Sequence, residues 1–364
     1  GRMRDRVATL DGPLSWLTDE DLAFYTREFE YTGFSGGLNR YRNVDRDFED
    51  LAVWLVSKCD KTTVSRFCRV TWRTVGAMCA RVVTEKLDPD RLRGLVDIGV
   101  DEISWRKHHK YLTLVSDHDT GTIVWGAPGK TAATLDGFFT AALPEGGAAS
   151  IEAVSMDLGP AYAKSVRAHA PQAVICFDPF HVVKLANDAL DDVRRQVWQS
   201  ARKLSNKQIA RTYKGARWAL LKNPDSLTAT QKATLAQLKR EGGALVRAYE
   251  LKESLRAVFA GDLDTDTVTH MLAKWCSWAQ RCRIPQFIKV GTTIKKHLDG
   301  IHAAVEHGLA NGRHEGLNNK VRLIIRRAYG FHTAEHALAM IMLACGPVTL
   351  ELPYHTTLRP HSRQ

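Results

Sequence analysis

The residues of this 364-residue chain whose types and spacing allow chemistry are three acids far apart in sequence: Asp101, Asp157 and Glu315. Asp101 lies within LVDIGVDEISW (95–105), where Val96, Ile98, Val100 and Ile103 are β-branched and set among polar and turn residues, the pattern of a buried strand. Asp157 ends IEAVSMD (151–157), a second such run, and Glu315 falls in the first turn of a helix opening at Asn311 or Gly312. A carboxylate inside an apolar strand either pairs or binds a metal to offset its burial, or sits solvated at a frayed strand end. Two carboxylates at neighbouring strand ends, with a glutamate on a returning helix, meet the requirement for holding two Mg²⁺ ions about 4 Å apart. Hard oxygen ligands suit Mg²⁺, for which Mn²⁺ can substitute. One ion would then activate an attacking water or hydroxyl and the other would stabilise the leaving oxygen.

Neighbouring residues compete for these roles. Asp97 shares strand parity with Asp101 but lies nearer the strand start, and Glu102 is expected on the opposite face. Asp117 and Asp119 belong to a hairpin turn and are explained by turn chemistry. In FDPFH, Asp178 reads as the cap of a helix, while His181 stands either in that turn or behind the acids as a positioning group. Asn318 and Arg322 follow Glu315 by three and seven residues on one helical face, which is either solvated or turned to a substrate phosphate.

The elements that must carry these groups follow in order. HKYLTLVSD (109–117) and GTIVWG (121–126) stand at hairpin spacing around DHDTG. A helix over 130–143, the strand 151–157, a helix from LGPAYAKSVRAHA stopped by Pro171, and a strand over 173–178 come next. Three antiparallel-capable strands, then helix, strand, helix, strand is the order of the ribonuclease-H-like fold, in which the first and fourth strands are neighbours. From His181 to about 300 no strand signal occurs, and the block is rich in Arg, Lys and Trp, with a basic face that includes Arg194, Arg195, Arg202 and Arg217. Upstream, KTTVSRFCRVTWRTVGAMCARVV (61–83) reads as two short helices broken around Val70 and Thr71. That is helix-turn-helix spacing, with Thr62, Thr63 or Ser65 opening the first helix and Arg66, Arg69, Arg73 and Arg81 as phosphate-seeking charge. An ordinary helical hairpin with a solvated basic face has the same signature.

Composition narrows the class. A net charge of +11 makes an acidic partner expected, nucleic acid first. Seven cysteines, at 59, 68, 79, 176, 276, 282 and 345, form no CxxC pair and read as reduced thiols of a cytoplasmic protein without a zinc site. The longest apolar run, 337–346, is too short for a bilayer. No signal peptide is expected, and the start at Gly1 reads as that of a fragment. Residues 1–50 carry seven arginines, no lysine and eleven acids, a net of −4 against +15 for the rest, so a boundary is expected at 45–50.

Two resemblances account for that shift. LSWLTDEDLAFYTREFEYTGFSGGLNRYRNVDRDFE resembles part of the cap domain of α/β-hydrolase-fold epoxide hydrolases, with Tyr41 at the position of a tyrosine that helps polarise the oxirane oxygen. No nucleophile-elbow strand accompanies it, so residues 1–47 are read as a foreign piece joined to another protein, and Tyr41 is expected to have no function. GLVDIGVDEISWRKHHKYLTLVSDHDTGTIVWG, AVSMDLGPAYAKSVRAHAPQAVICFDPFHVVKLANDALDDVRR and NGRHEGLNNKVRLIIRRAYGFHTAEHALAMIMLACGP resemble the DDE transposases of the bacterial ISL3 insertion-sequence family, over about 48–355.

The second resemblance implies that Asp101, Asp157 and Glu315 are the DDE triad and metal ligands of an Mg²⁺-dependent enzyme. Arg66, Arg69, Arg73, Arg81, Arg194, Arg195 and Arg322 are then expected on DNA. The implied fold is α/β, a ribonuclease-H-like catalytic domain (91–185 and 305–350) with a large α-helical insertion (186–304), preceded by a helix-turn-helix segment (48–90). Expected partners are double-stranded DNA, at the element ends and the target, and further copies of the chain assembled on it. No membrane is implied, and the expected location is the cytoplasm, at the nucleoid. Members of the family usually begin with a cysteine-rich, zinc-binding segment that helps recognise the terminal repeats. The hydrolase-like piece stands in that place, so terminal-repeat binding is the step this departure touches. The alternative reading is a DNA-binding protein without catalysis, a repressor or a decayed transposase.

Overall fold

The computed structural model describes residues 18–32, 35–106, 109–204, 207–259, 261, 263–309, 312–328 and 330–350, with the side chains of 29, 32, 35–45, 207 and 312–315 outside that description. The side chains of Tyr41 and Glu315 are among those outside it. The chain divides into two compact units, residues 1–86 with 349–364, and Leu87–Val348.

The first unit is helical. Thr18 opens α1 (Asp19–Thr32) through a reciprocal cap, its hydroxyl accepting from the Asp21 N–H at 3.1 Å while its own N–H donates to Asp21 Oδ2 at 3.0 Å. The next helix, α2, spans Ser35–Lys58 and runs through Gly36 and Gly37. It also crosses 47/48, the junction expected from composition. Once nucleated, a helix adds one hydrogen bond per residue regardless of where the segment came from. Ala52, Val53 and Val56 of α2 are buried in the core of this unit, along with Val64 of α3 (Lys61–Cys68) and Val75, Cys79 and Val82 of α4 (Trp72–Lys86).

Asp60, not Thr62, Thr63 or Ser65, caps α3, its carboxylate accepting from the Thr63 N–H at 3.0 Å. Arg69 ends α3 in the left-handed region at φ 54°, and the Thr71 hydroxyl receives the Thr74 N–H at 3.1 Å as α4 begins. Three residues thus turn the chain between the two helices. Trp72 does not join the buried face of α4. It is 38% exposed, with the Lys61 ammonium 3.5 Å from its ring centre.

The second unit is mixed α/β and mostly helical around one five-stranded sheet. The strands are β1 (Asp97–Arg106), β2 (Lys110–Asp117), β3 (Thr122–Pro128), β4 (Ala153–Met156) and β5 (Val174–Phe177), in the order β3-β2-β1-β4-β5. The first three form an antiparallel meander, and its β2–β3 turn is held by Asp117, whose carboxylate accepts from the Asp119 N–H at 3.1 Å and the Thr120 hydroxyl at 2.7 Å. β4 pairs parallel with β1, Asp97 opposite Ala153 and Gly99 opposite Ser155, and β5 extends the parallel half.

Two crossovers cover the sheet. α5 (Ala132–Gly137), continued by a π-helical turn over Phe138–Ala142, leads to β4, and α6 (Pro160–His169) leads to β5. Leu135, Phe138 and Val166 are fully buried against Ile98, Val154 and Met156 of the strands. From β5 the chain passes straight into α7 (Pro179–Lys203), 25 residues and so about 37 Å long. Its Val182, Ala186, Leu190 and Val193 are buried at helical spacing. A helical block, α8 (Lys207–Gly215) to α13 (Pro285–Lys296), shares the same apolar core.

The chain then returns to the sheet. α14 (Leu298–Glu306) packs on β5, α15 (Gly312–Arg327) approaches β1, and α16 (Ala334–Cys345) packs on β3. Gly300 lets α14 lie close, because a methyl there would stand 2.9 Å from the Ile175 carbonyl oxygen and 2.5 Å from the Phe177 ring. Among the described residues, no helix is long and apolar enough to cross a membrane, and all seven cysteines are free thiols.

Candidate active site at the end of the parallel strands

The parallel pairing of β1 and β4 decides which residues meet. Gly99 faces Ser155, so two residues on in each strand direction come Asp101 and Asp157, on the same face. A cleft at this end of the sheet is lined by Gly99, Val100, Asp101, Ser155, Asp157, Asp178, His181 and Asn318. Its volume is about 20 Å³, room for one water-sized sphere, which needs roughly 10–15 Å³. Two residues from the centre of the sequence argument are therefore joined by a third acid, by His181 at the start of α7 and by Asn318 of α15.

Each of the three aspartates is gripped by one backbone N–H through a single oxygen. Asp101 Oδ1 accepts from Glu102 at 2.7 Å, Asp157 Oδ1 from Gly159 at 2.9 Å and Asp178 Oδ1 from Phe180 at 2.8 Å. β4 is short, so Asp157 lies just past its last paired residue, where such a grip replaces the ladder. Asp178 caps α7 and is buried, with its Oδ2 3.7 Å from His181 Nε2.

Burial pushes the Asp101 carboxyl above its ordinary range, and Asp157 adds to that push; His181, the Glu102 N–H and Arg322 oppose it. The Asp101 residue is only partly covered, but its carboxyl group is set deep. Among the described residues the site is thus a cluster of acids in which Asp101 is offset only in part by His181, Arg322 and the Glu102 N–H.

Glu102 faces away from the cleft, toward Lys130 at 3.9 Å, and burial raises its carboxyl as well. On this side the Tyr162 hydroxyl is 2.9 Å from the Thr113 hydroxyl and is held far above its usual value by burial. Asp97 stays at the start of β1 among His307, Asp119 and Glu152. One pair escaped the sequence reading: His118 Nε2 lies 2.7 Å from Ser155 Oγ, beneath the acids. Its signal was a hydroxyl at the parity of Asp157 in an otherwise apolar strand.

Glu315 lies in α15, one turn before Asn318, with its side chain outside the described residues. Arg322, one turn beyond Asn318, is close enough to Asp101 to lower its carboxyl and reaches Asn319 Oδ1 at 3.4 Å. Among the described residues, no three His, Cys, Asp or Glu side chains form a cluster able by itself to hold a metal. The donors that do converge are hard carboxylate and amide oxygens, which fit Mg²⁺ or Mn²⁺ and not a soft ion.

The expected DNA-facing arginines divide. Arg66, Arg69 and Arg73 are exposed, and Arg81, exposed too, is bound to Glu49. Arg195 is exposed and paired with Asp192 and, at 3.6 Å, Asp191. Arg194 is buried: it binds Asp191 at 2.8 Å and donates to the Tyr213 carbonyl at 3.4 Å. It therefore ties α7 to α8 and presents no charge to solvent.

Comparison with known proteins agrees with this architecture. A family model described as a transposase, the ISL3 type, matches residues 98–341, which carry the whole sheet except its first residue and all of α15. The transposase for insertion sequence element IS1557 of Mycobacterium tuberculosis is 44% identical over 317 residues, 81% of this chain and 70% of that protein. The transposase for IS1001 of Bordetella parapertussis is 31% identical over 309 residues, covering 84% and 75%. A separate, short similarity of 51 residues at 45% identity, 14% of each chain, is to epoxide hydrolase B of Mycobacterium tuberculosis. By the span of the family match and the identity and coverage of these relatives, the chain belongs to the ISL3 family of transposases.

Proposed function

We propose that this transposase cleaves and joins DNA strands at the ends of an insertion sequence, with Asp101, Asp157 and Glu315 as the acids that hold divalent metal. The observation that carries the proposal is the meeting of Asp101 and Asp157 in one cleft, with Asn318 and Arg322 of α15 beside them. When bound, a pair of Mg²⁺ or Mn²⁺ ions supplies activation of the attacking water or 3′-hydroxyl and stabilisation of the leaving oxygen.

The chain's own residues do the rest. The backbone N–H groups of Glu102 and Gly159 fix the two carboxylates before any ion arrives, so no reorganisation is needed at the moment of reaction. Arg322 supplies positive charge to a phosphate entering beside Asp101, and Asn318 a neutral donor and acceptor. His181, tied to Asp178, stands behind Asp101 as a positioning group. The sheet order supports a ribonuclease-H-like catalytic domain built from 91–185 and 305–350 with 186–304 as its insertion. The three-residue turn between α3 and α4, with Arg66, Arg69 and Arg73 exposed, supports helix-turn-helix binding to double-stranded DNA by 48–90. Assembly of several copies on DNA completes the reading.

The test is transfer of labelled element ends by the purified chain with Mn²⁺. Asp101→Asn, Asp157→Asn and Glu315→Gln should each abolish transfer while DNA binding persists. Transfer that survives all three changes would sink the site assignment, and a wild-type chain that binds DNA but never nicks it would favour the non-catalytic alternative.

A further inference from the structure

Gly159 follows Asp157 by two residues and precedes Pro160, the first residue of α6. Its backbone, φ −73° and ψ 137°, is open to any residue, and is the conformation expected before proline. Conformational freedom therefore does not explain a glycine here. Helix capping does not single glycine out either: Gly159 is the cap residue of α6 and makes no side-chain hydrogen bond, and Ser, Asp or Asn would serve that position at least as well. Space does explain it. A Cβ at this position would lie 2.8 Å from Asp157 Oδ1, 3.4 Å from Oδ2 and 3.5 Å from Cγ, the first of these closer than real methyl groups come.

The same residue donates its N–H to Asp157 Oδ1 at 2.9 Å. The neighbouring strand end supplies an internal comparison. Asp178 is held by the N–H of Phe180, again two residues on, and there the gripping residue carries a large side chain that is 41% exposed. The grip alone does not require glycine; the position of the Asp157 carboxylate does.

We infer that Gly159 is a positioning residue for the acid centre: its N–H holds one oxygen of Asp157 and its missing side chain leaves the carboxylate the orientation in which it meets metal. This rests on the reading of Asp157 as a metal ligand. A methyl at 159 meets the far end of a side chain that can turn about χ1, so the carboxylate gives way and the fold does not.

The experiment compares the full chain with Gly159→Ala, Gly159→Ser and Asp157→Asn. Thermal unfolding without metal reports the fold, binding of Mn²⁺ alone by electron paramagnetic resonance reports the site, and strand cleavage is followed as Mn²⁺ is raised. Gly159→Ala should still unfold cooperatively, at a temperature lowered only by alanine's poorer capping, bind Mn²⁺ about tenfold or more weakly, as changes to groups that orient metal ligands do, and recover cleavage as Mn²⁺ is raised. Gly159→Ser adds a helix cap, so it should keep or raise the unfolding temperature with the same loss of Mn²⁺ affinity, and it is the decisive variant if Ala disturbs folding. Wild-type Mn²⁺ affinity in both glycine variants, with Asp157→Asn defective, would overturn the inference alone. Wild-type Mn²⁺ affinity in Asp157→Asn would overturn the underlying assignment of Asp157.

Discussion

Asp101 and Asp191 are acids of the same unit in opposite electrostatic settings. Asp191, on α7, has Arg194 at 2.8 Å, Arg195 at 3.6 Å and Arg217 at 3.8 Å, a carboxylate fully matched by the chain's own cations. Asp101 has Asp157 beside it and burial against it, with His181, Arg322 and one N–H as its relief. The difference separates two uses of charge. A carboxylate that builds the fold brings its countercharge with it, whereas Asp101, proposed to hold a metal, is offset only in part among the described residues and is oriented by a backbone N–H that does not neutralise it.

The strongest way to break this contrast is to neutralise each acid in turn. Asp101→Asn should cost at least 10³-fold in strand cleavage, about 4 kcal/mol of barrier, while the protein still unfolds cooperatively. Asp191→Asn should act the other way round, leaving Arg194 buried without its partner and lowering stability by about 3 kcal/mol, read as a shift in urea midpoint at unchanged slope. Equal stability losses in the two variants would remove the distinction.

How much of this was legible in the residues depends on whether local pattern or a distant partner decides. Alternating β-branched residues located β1 with Asp101, and the hairpin acid Asp117 turned out to hold the turn. The pairing of β1 with β4 followed from the order of elements. Arg194 was read as part of a basic face, although it lies four residues after Leu190 on the apolar side of α7; its partner, the Tyr213 carbonyl, belongs to another helix and has no local signature. The composition break near 47 leaves no mark on the backbone, since α2 runs through it. Asp60 took the cap of α3 from three nearby hydroxyl residues because it stands directly before the first helical residue, where its carboxylate reaches the Thr63 N–H. Gly159 had no signal in sequence, because what explains it is a neighbour's oxygen.

A subtler sharpening uses stability without metal. The Asp101 carboxyl is raised in the fold above its unfolded value, so its contribution to stability is present below the ordinary carboxylate range and is lost as pH rises through the raised value. Asp101→Asn should therefore make the metal-free protein more stable at neutral pH and flatten the decline seen as pH climbs from the ordinary carboxylate range. Added Mn²⁺ should stabilise the wild type and leave the Asn variant unmoved. A metal-free Asn variant less stable than wild type would mean that Asp101 is as structurally compensated as Asp191.

The smallest effect on the fold tests the outer edge of the Asp191 group. Arg195 is exposed and shares Asp191 and Asp192, so Arg195→Gln should change stability by less than about 0.5 kcal/mol, as surface ion pairs do. If its charge serves DNA, the slope of log affinity against log salt should fall by about 1 for double-stranded DNA of any sequence. Arg194→Gln supplies the contrast within one helix turn: a marked loss of stability, with the salt slope unchanged in the folded fraction, because its guanidinium is spent on Asp191 and Tyr213. An unaltered salt slope in Arg195→Gln would place both arginines with the fold and move the DNA-facing charge of this unit elsewhere.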